Sequence, residues 1–119
     1  MPSADRSLPS KTRLLRALAN PSRLAILEAL RGGPRCVGEV VARTGLTQSN
    51  VSNHLACLRD CGLVSSRARG RFVFYRLAAP DVARLLERIE ALDRRAGAQV
   101  EACAHLPRRA LPGPRGRAR

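Results

Sequence analysis

Residues 44–64 read TGLTQSNVSNHLACLRDCGLV. Thr47 suits a helix N-cap, because its hydroxyl can accept from a backbone N–H in the first turn. Gly62 suits the C′ position, where a left-handed backbone closes a helix. The stretch between them predicts a helix reaching Cys61. At about 100° per residue, Val51, Leu55 and Leu58 share one face, which should be buried. Ser49, Ser52, Asn53 and Ala56 lie opposite, flanked by Gln48 and Asn50. These residues are small or hydrogen-bonding and crowd toward the N-terminal half. A recognition helix reads base edges with such residues there, and its first N–H groups favour phosphate. The solvated face of an ordinary surface helix has the same polarity, so this helix alone leaves both readings open.

The flanks support the first reading. Val37 to Arg43 predicts a short helix that stops at Thr44-Gly45, giving a helix-turn-helix with the segment above. Further upstream, Asn20-Pro21 provides an N-cap and a first helical residue for a helix holding Leu24, Ile26, Leu27 and Leu30. Gly32-Gly33-Pro34 ends it. An earlier helix is expected from Ser10 to Ala19, after a flexible start over 1–9 with Pro2 and Pro9 as breakers. Downstream the period changes. Leu63, Val64 and Phe72 to Leu77 are strand-like and predict a β-hairpin over about 63–77. Its turn, Arg67-Ala68-Arg69-Gly70-Arg71, carries three arginines able to reach phosphates or a minor groove. A charged tip that merely blocks edge pairing is the plainer alternative. Pro80-Asp81 opens a last helix with Val82, Leu85, Leu86, Ile89 and Leu92 in a stripe. Gly97 is expected to weaken it, and Val100 and Cys103 continue its phase. The fold class is mainly α with a β-hairpin wing (α+β), a winged helix-turn-helix domain over 10–106. Residues 107–119 are expected to be a disordered basic tail.

Composition narrows the function. The chain has 119 residues with 22 basic and 9 acidic side chains, a net charge of +13. Without residues 107–119, which hold five arginines and no acid, it is still +8. That charge favours an anionic partner, most simply double-stranded DNA. No apolar run is long enough to span a membrane. No secretory signal is seen, so the four cysteines are expected as reduced thiols in the cytoplasm. No Gly-rich phosphate loop, nucleophile elbow or catalytic carboxylate pair is present, so no enzyme is expected.

The runs LRALANPSRLAILEAL (15–30), TGLTQSNVSNHLACLRDCGLV (44–64) and GRFVFYRL (70–77) resemble the ArsR/SmtB family. The resemblance extends over about residues 12–104. It implies a dimeric bacterial repressor that releases operator DNA on binding a metal or another inducer. Gln48, Ser49, Asn50, Ser52 and Asn53 would then read DNA, with Arg67, Arg69 and Arg71 on the wing. The first helix and the Val82–Leu92 stripe would form the homodimer surface.

Cys57 and Cys61 are four residues apart and so lie about one turn apart on one helix face. Two thiolates there can bind one metal, although a free cysteine is often just a small buried hydrophobe. Both lie well off the Val51/Leu55/Leu58 face. The cysteine pattern resembles that of the family's CmtR-type cadmium/lead sensors, which implies Cys57, Cys61 and Cys103 as metal ligands. Three thiolates suit Cd²⁺ or Pb²⁺, and Zn²⁺ less distinctively. Cys36-Val37-Gly38 lacks the second thiol of the family's C-V-C motif, which leaves Cys36 as an N-cap or core thiol. Asp81, Asp93 and His105 do not reproduce the paired-histidine pattern of the family's zinc-sensing members. His105 is at most an auxiliary ligand, and His54 precedes Cys57 by three and lies near the same side. A repressor answering to oxidation or another non-metal inducer is the alternative.

Overall fold

The computed structural model describes residues 6–107. Most of the expected flexible start and almost all of the basic tail lie outside the described residues. In chain order the elements are α1 (Leu8–Leu18), α2 (Pro21–Leu30), β1 (Arg35–Cys36), α3 (Val37–Thr44), α4 (Gln48–Asp60), β2 (Val64–Arg69), β3 (Phe72–Leu77) and α5 (Pro80–Glu101).

The helix boundaries follow from local chemistry. Asn20 Oδ1 accepts from the Arg23 N–H at 3.0 Å and caps α2. Thr47 Oγ1 accepts from the Asn50 N–H at 3.2 Å and caps α4. Gly45 closes α3 at φ +76°. At the end of α4, Gly62 N–H donates to Arg59 O at 3.0 Å and Leu63 N–H to Leu58 O at 2.9 Å. With Gly62 at φ +80° this is a Schellman closure. Pro9 does not hold back α1, which begins at Leu8 and takes the proline into its first turn. There the missing N–H has no helical partner to lose. Gly97 does not interrupt α5, which runs unbroken to Glu101.

The sheet has three antiparallel strands in the order β1-β3-β2, one more than the hairpin alone. β1 is two residues long, with Arg35 opposite Tyr75 and Cys36 opposite Phe74. Two residues show no alternation, so the sequence gives no strand signal there. The core gathers Ile26, Leu27 and Leu30 of α2, Val40 of α3, Val51, Leu55 and Leu58 of α4, and Val82 and Leu86 of α5. Arg31 Nη1 donates to Glu28 Oε1 at 2.9 Å and to Glu90 Oε1 at 3.0 Å, tying α5 to the end of α2. These bonds push the Arg31 guanidinium up and hold the Glu90 carboxyl below the ordinary range.

Beyond the half-buried Ile89, α5 leaves its apolar stripe uncovered. Leu92 is 52% and Val100 55% exposed, as are Leu8 at 55% and Leu15 at 60% on α1. The stripe is longer than this small core can use.

Candidate DNA-reading helix, wing and thiol pair

α4 is anchored by its fully buried Val51, Leu55 and Leu58. That burial turns Gln48, Ser49, Asn50, Ser52 and Asn53 to solvent, while Ala56 is half-buried. The five exposed residues lie within the first two turns. Amide and hydroxyl groups are thus presented at the positive end of the helix dipole, where phosphate and base edges are both favoured.

The strand register sorts the wing's arginines. Arg67 lies opposite Phe74, Arg69 opposite Phe72, and Ser65 opposite Arg76. Directly opposite residues share a sheet face, and residues two apart do as well. Arg67, Arg69 and Arg76 therefore stand on one face with Phe72 and Phe74, whose rings meet edge-to-face at 6.5 Å. Arg76 Nε donates to Ser65 Oγ at 3.3 Å. A groove of about 680 Å³ on this face is bordered by Pro34, Arg67, Arg69, Phe74 and Arg76. The expected turn of 67–71 shortens to Gly70-Arg71. Gly70 has φ +63° and Arg71 a negative φ, the signs of a type II′ hairpin turn. Residues 64–77 hold four arginines and no acid. Sequence reading missed Arg76. Counting by twos back from the Gly70 turn finds it.

Cys57 and Cys61 are both exposed, as their places on the helix predict. One turn apart, the two side chains are close enough to act on each other. Burial, and then the neighbouring Cys57, push the Cys61 thiol up, while Arg23 pulls it the other way. His54 is pushed down by burial and by the same Arg23. Arg23 is held in place by donating Nε to Ala17 O at 2.7 Å and Nη2 to Arg16 O at 3.1 Å, both at the end of α1. Nothing in the sequence pattern had marked this arginine.

Two adjacent exposed thiols fit two ligand positions of a thiophilic cation. Cys103 is half-buried just past α5 and does not join them in a three-ligand group among the described residues. Among the described residues no group of three His, Cys, Asp or Glu side chains stands ready for a metal. Cys36 is occupied with helix capping, its N–H donating to Glu39 Oε1 at 3.0 Å.

A winged helix-turn-helix with a polar presented helix is the architecture of a DNA-binding regulator. The chain's relatives carry regulator names. The model of the arsR family of bacterial regulatory proteins matches residues 20–66. CmtR of Mycobacterium tuberculosis, an HTH-type transcriptional regulator, is 55% identical over 74 residues. That stretch is 62% of this chain and 63% of CmtR, so this chain spans somewhat under two thirds of that relative. The "Probable mercury resistance operon repressor" of Streptomyces lividans is 39% identical over 95 residues, 80% of this chain and 76% of the relative. Among solved structures, Rv0081 of M. tuberculosis superposes with a TM-score of 0.74 at 35% identity, covering 83% of this chain and all (100%) of that one. The homodimeric winged helix-turn-helix domain Mb0332 of Mycobacterium bovis gives 0.69 at 32% identity, covering 90% and 100%. The chain belongs to the ArsR family. That family is one of bacterial regulatory proteins. No helix among the described residues is long and apolar enough to cross a membrane.

Proposed function

We propose that this protein is a transcriptional repressor that holds operator DNA as a homodimer and releases it when Cys57 and Cys61 take up a thiophilic cation. Cd²⁺ and Pb²⁺ suit the thiols best, and Zn²⁺ less so. One observation carries the reading. The two exposed thiols sit one turn apart at the end of the same helix whose first two turns present Gln48 to Asn53. One rigid element holds both the signal site and the DNA site.

The uncovered apolar residues of α1 and α5 supply the dimer surface. A two-fold dimer sets its two recognition helices in successive major grooves, about 34 Å apart. Cys103 serves as a third thiol, so cation uptake ties the end of α5 to α4. Bound through thiolates, the cation supplies strong directional bonds at the end of α4. The chain answers through α4 and through Arg23, which joins the thiol region to the last carbonyls of α1. A change in α1 or α5 alters the dimer and so the spacing of the reading helices. A redox version, with Cys57 and Cys61 as a disulfide, fits less well. A disulfide wants Cβ atoms about 3.8 Å apart. Helix positions i and i+4 hold them about 5–6 Å apart.

Binding of the protein to its own promoter duplex tests the DNA half. Asn53→Ala should lower preference for promoter over random duplex by about 5–150-fold, the 1–3 kcal/mol of a two-point base contact. Its salt dependence should match the wild type. An unchanged preference would remove Asn53 from the reading surface.

The thiol half is tested by pH. The Cys61 thiol is raised above its ordinary value, so it is protonated at neutral pH. Cation uptake must displace that proton, and affinity should rise by at least about tenfold per pH unit below the thiol pKa. Cd²⁺ affinity that stays flat between pH 6 and 7.5 (measured against a chelator corrected for its own protonation) would contradict uptake by Cys61.

A further inference from the structure

The groove that ends on Cys61 has a charge that a bare cation does not call for. It runs between α1, α2 and the end of α4, with a volume of about 630 Å³. Arg13, Arg16 and Arg23 line it, with Leu14 and Ala17 as apolar wall and Cys61 at one end. Among the described residues no carboxylate lines it, although Asp60 acts on Cys61 from outside. Arg23 is pinned by its bonds to Ala17 O and Arg16 O, which engage two of its five donors. At 3.6 residues per turn, Ser10, Arg13 and Ala17 face the groove while Leu8 and Leu15 project nearly opposite. The groove and the Leu8/Leu15 edge thus lie on different sides of α1.

Three guanidinium groups repel a free divalent cation and attract an anion. A thiophilic cation in a reducing solution is itself held by small thiolates, and thiols that bear carboxylates make the complex anionic. We propose that this groove docks such a complex, an anionic carboxylate-bearing small-thiol complex of the metal, and delivers its metal to Cys57 and Cys61. The inference rests on the thiol reading above. Arg13 and Arg16 take the carboxylates, while the small thiol's carbon skeleton lies against Leu14 and Ala17. The exchange is redox-neutral. Each cysteine thiol gives up a proton and forms a sulfur–metal bond. For each bond formed, one bond from the metal to a small thiol breaks, and the leaving thiolate takes up a proton.

The test is a stopped-flow transfer experiment on the full reduced chain. Cd²⁺ is supplied with excess N-acetylcysteine, which has a carboxylate, or with excess 2-mercaptoethanol, which has none. Uptake is followed as thiolate-to-metal absorption, with the Cys57→Ser protein as the blank. Transfer from the carboxylate donor should be at least about tenfold faster, and the advantage should shrink as salt is added. Arg13→Gln with Arg16→Gln should bring that rate down to the neutral-donor rate. Arg84→Gln with Arg95→Gln, exposed on α5, removes the same net charge and should leave the advantage intact. Arg16 holds Arg23 through its backbone oxygen, so the α1 double variant keeps that bond, and its thermal melt checks the fold. Equal rates from both donors, or equal slowing by the two double variants, would overturn the groove while leaving the thiol site standing. If free Cd²⁺ gives no thiolate absorption in the wild type, the thiol reading fails and the groove falls with it.

Discussion

Cys57→Ser protein is expected to stay on its operator through a Cd²⁺ titration that strips the wild type from it. The substitution replaces a soft thiolate by a hard hydroxyl that holds Cd²⁺ poorly. Cys57 is exposed, so neither the core nor the helix depends on its sulfur. Binding to the operator without metal should be unchanged. Allosteric couplings of this kind are ordinarily about 1–3 kcal/mol, or about 5–150-fold in affinity. The variant's ratio should collapse to about one. Linkage fixes a second consequence, that operator DNA must weaken Cd²⁺ binding to the wild type by the same factor. Cys36→Ser is the matched control, because Cys36 is half-buried at the start of α3 and serves a cap. Release of the Cys57→Ser protein at the wild-type metal concentration would remove the pair from the mechanism.

The second large effect lies on the wing. Arg67, Arg69 and Arg76 share one face of the β2–β3 hairpin. If each neutralises one phosphate, each contributes about 0.9 to the slope of log affinity against log salt. The triple change to Gln should make that slope shallower by about 2.7. Between 50 and 200 mM salt the wild type should therefore lose about 40-fold more affinity than the variant. Promoter and random duplexes should be affected alike, since phosphate contacts position without specifying. A triple variant with the wild-type slope would show that this face does not meet DNA. Anisotropy titrations at four salt concentrations measure it.

Much of this was legible in the sequence because local chemistry and tertiary packing agree. Thr47 and Gly62 bracket α4, and three apolar residues at helical spacing choose its buried face. The same wheel placed Cys57 and Cys61 outside the core, where the structure has them. Legibility failed where a feature depends on distant chain. β1 exists only because β3 lies beside it, and two residues carry no period. Arg76 joins Arg67 and Arg69 through strand register, which a turn drawn too wide conceals. Arg23 matters through carbonyls at the end of another helix. Pro9 reads as a breaker by residue type, yet in a first turn it is compatible with helix. Cys103 keeps the phase of α5 but does not join the other two thiols in a three-ligand group among the described residues, since a monomer's packing alone gives it no reason to approach them.

The proposed regulation turns on one coupling, between thiols and DNA on a single helix. Its most direct measurement is a Cd²⁺ titration of reduced protein bound to a fluorescent duplex of its own promoter. Thiolate-to-metal absorption and DNA anisotropy are followed in the same cuvette. Absorption should rise to one metal per protomer while anisotropy falls over the same concentration range. Saturating absorption with DNA still bound would contradict the coupling, as would release of DNA with no thiolate absorption at all.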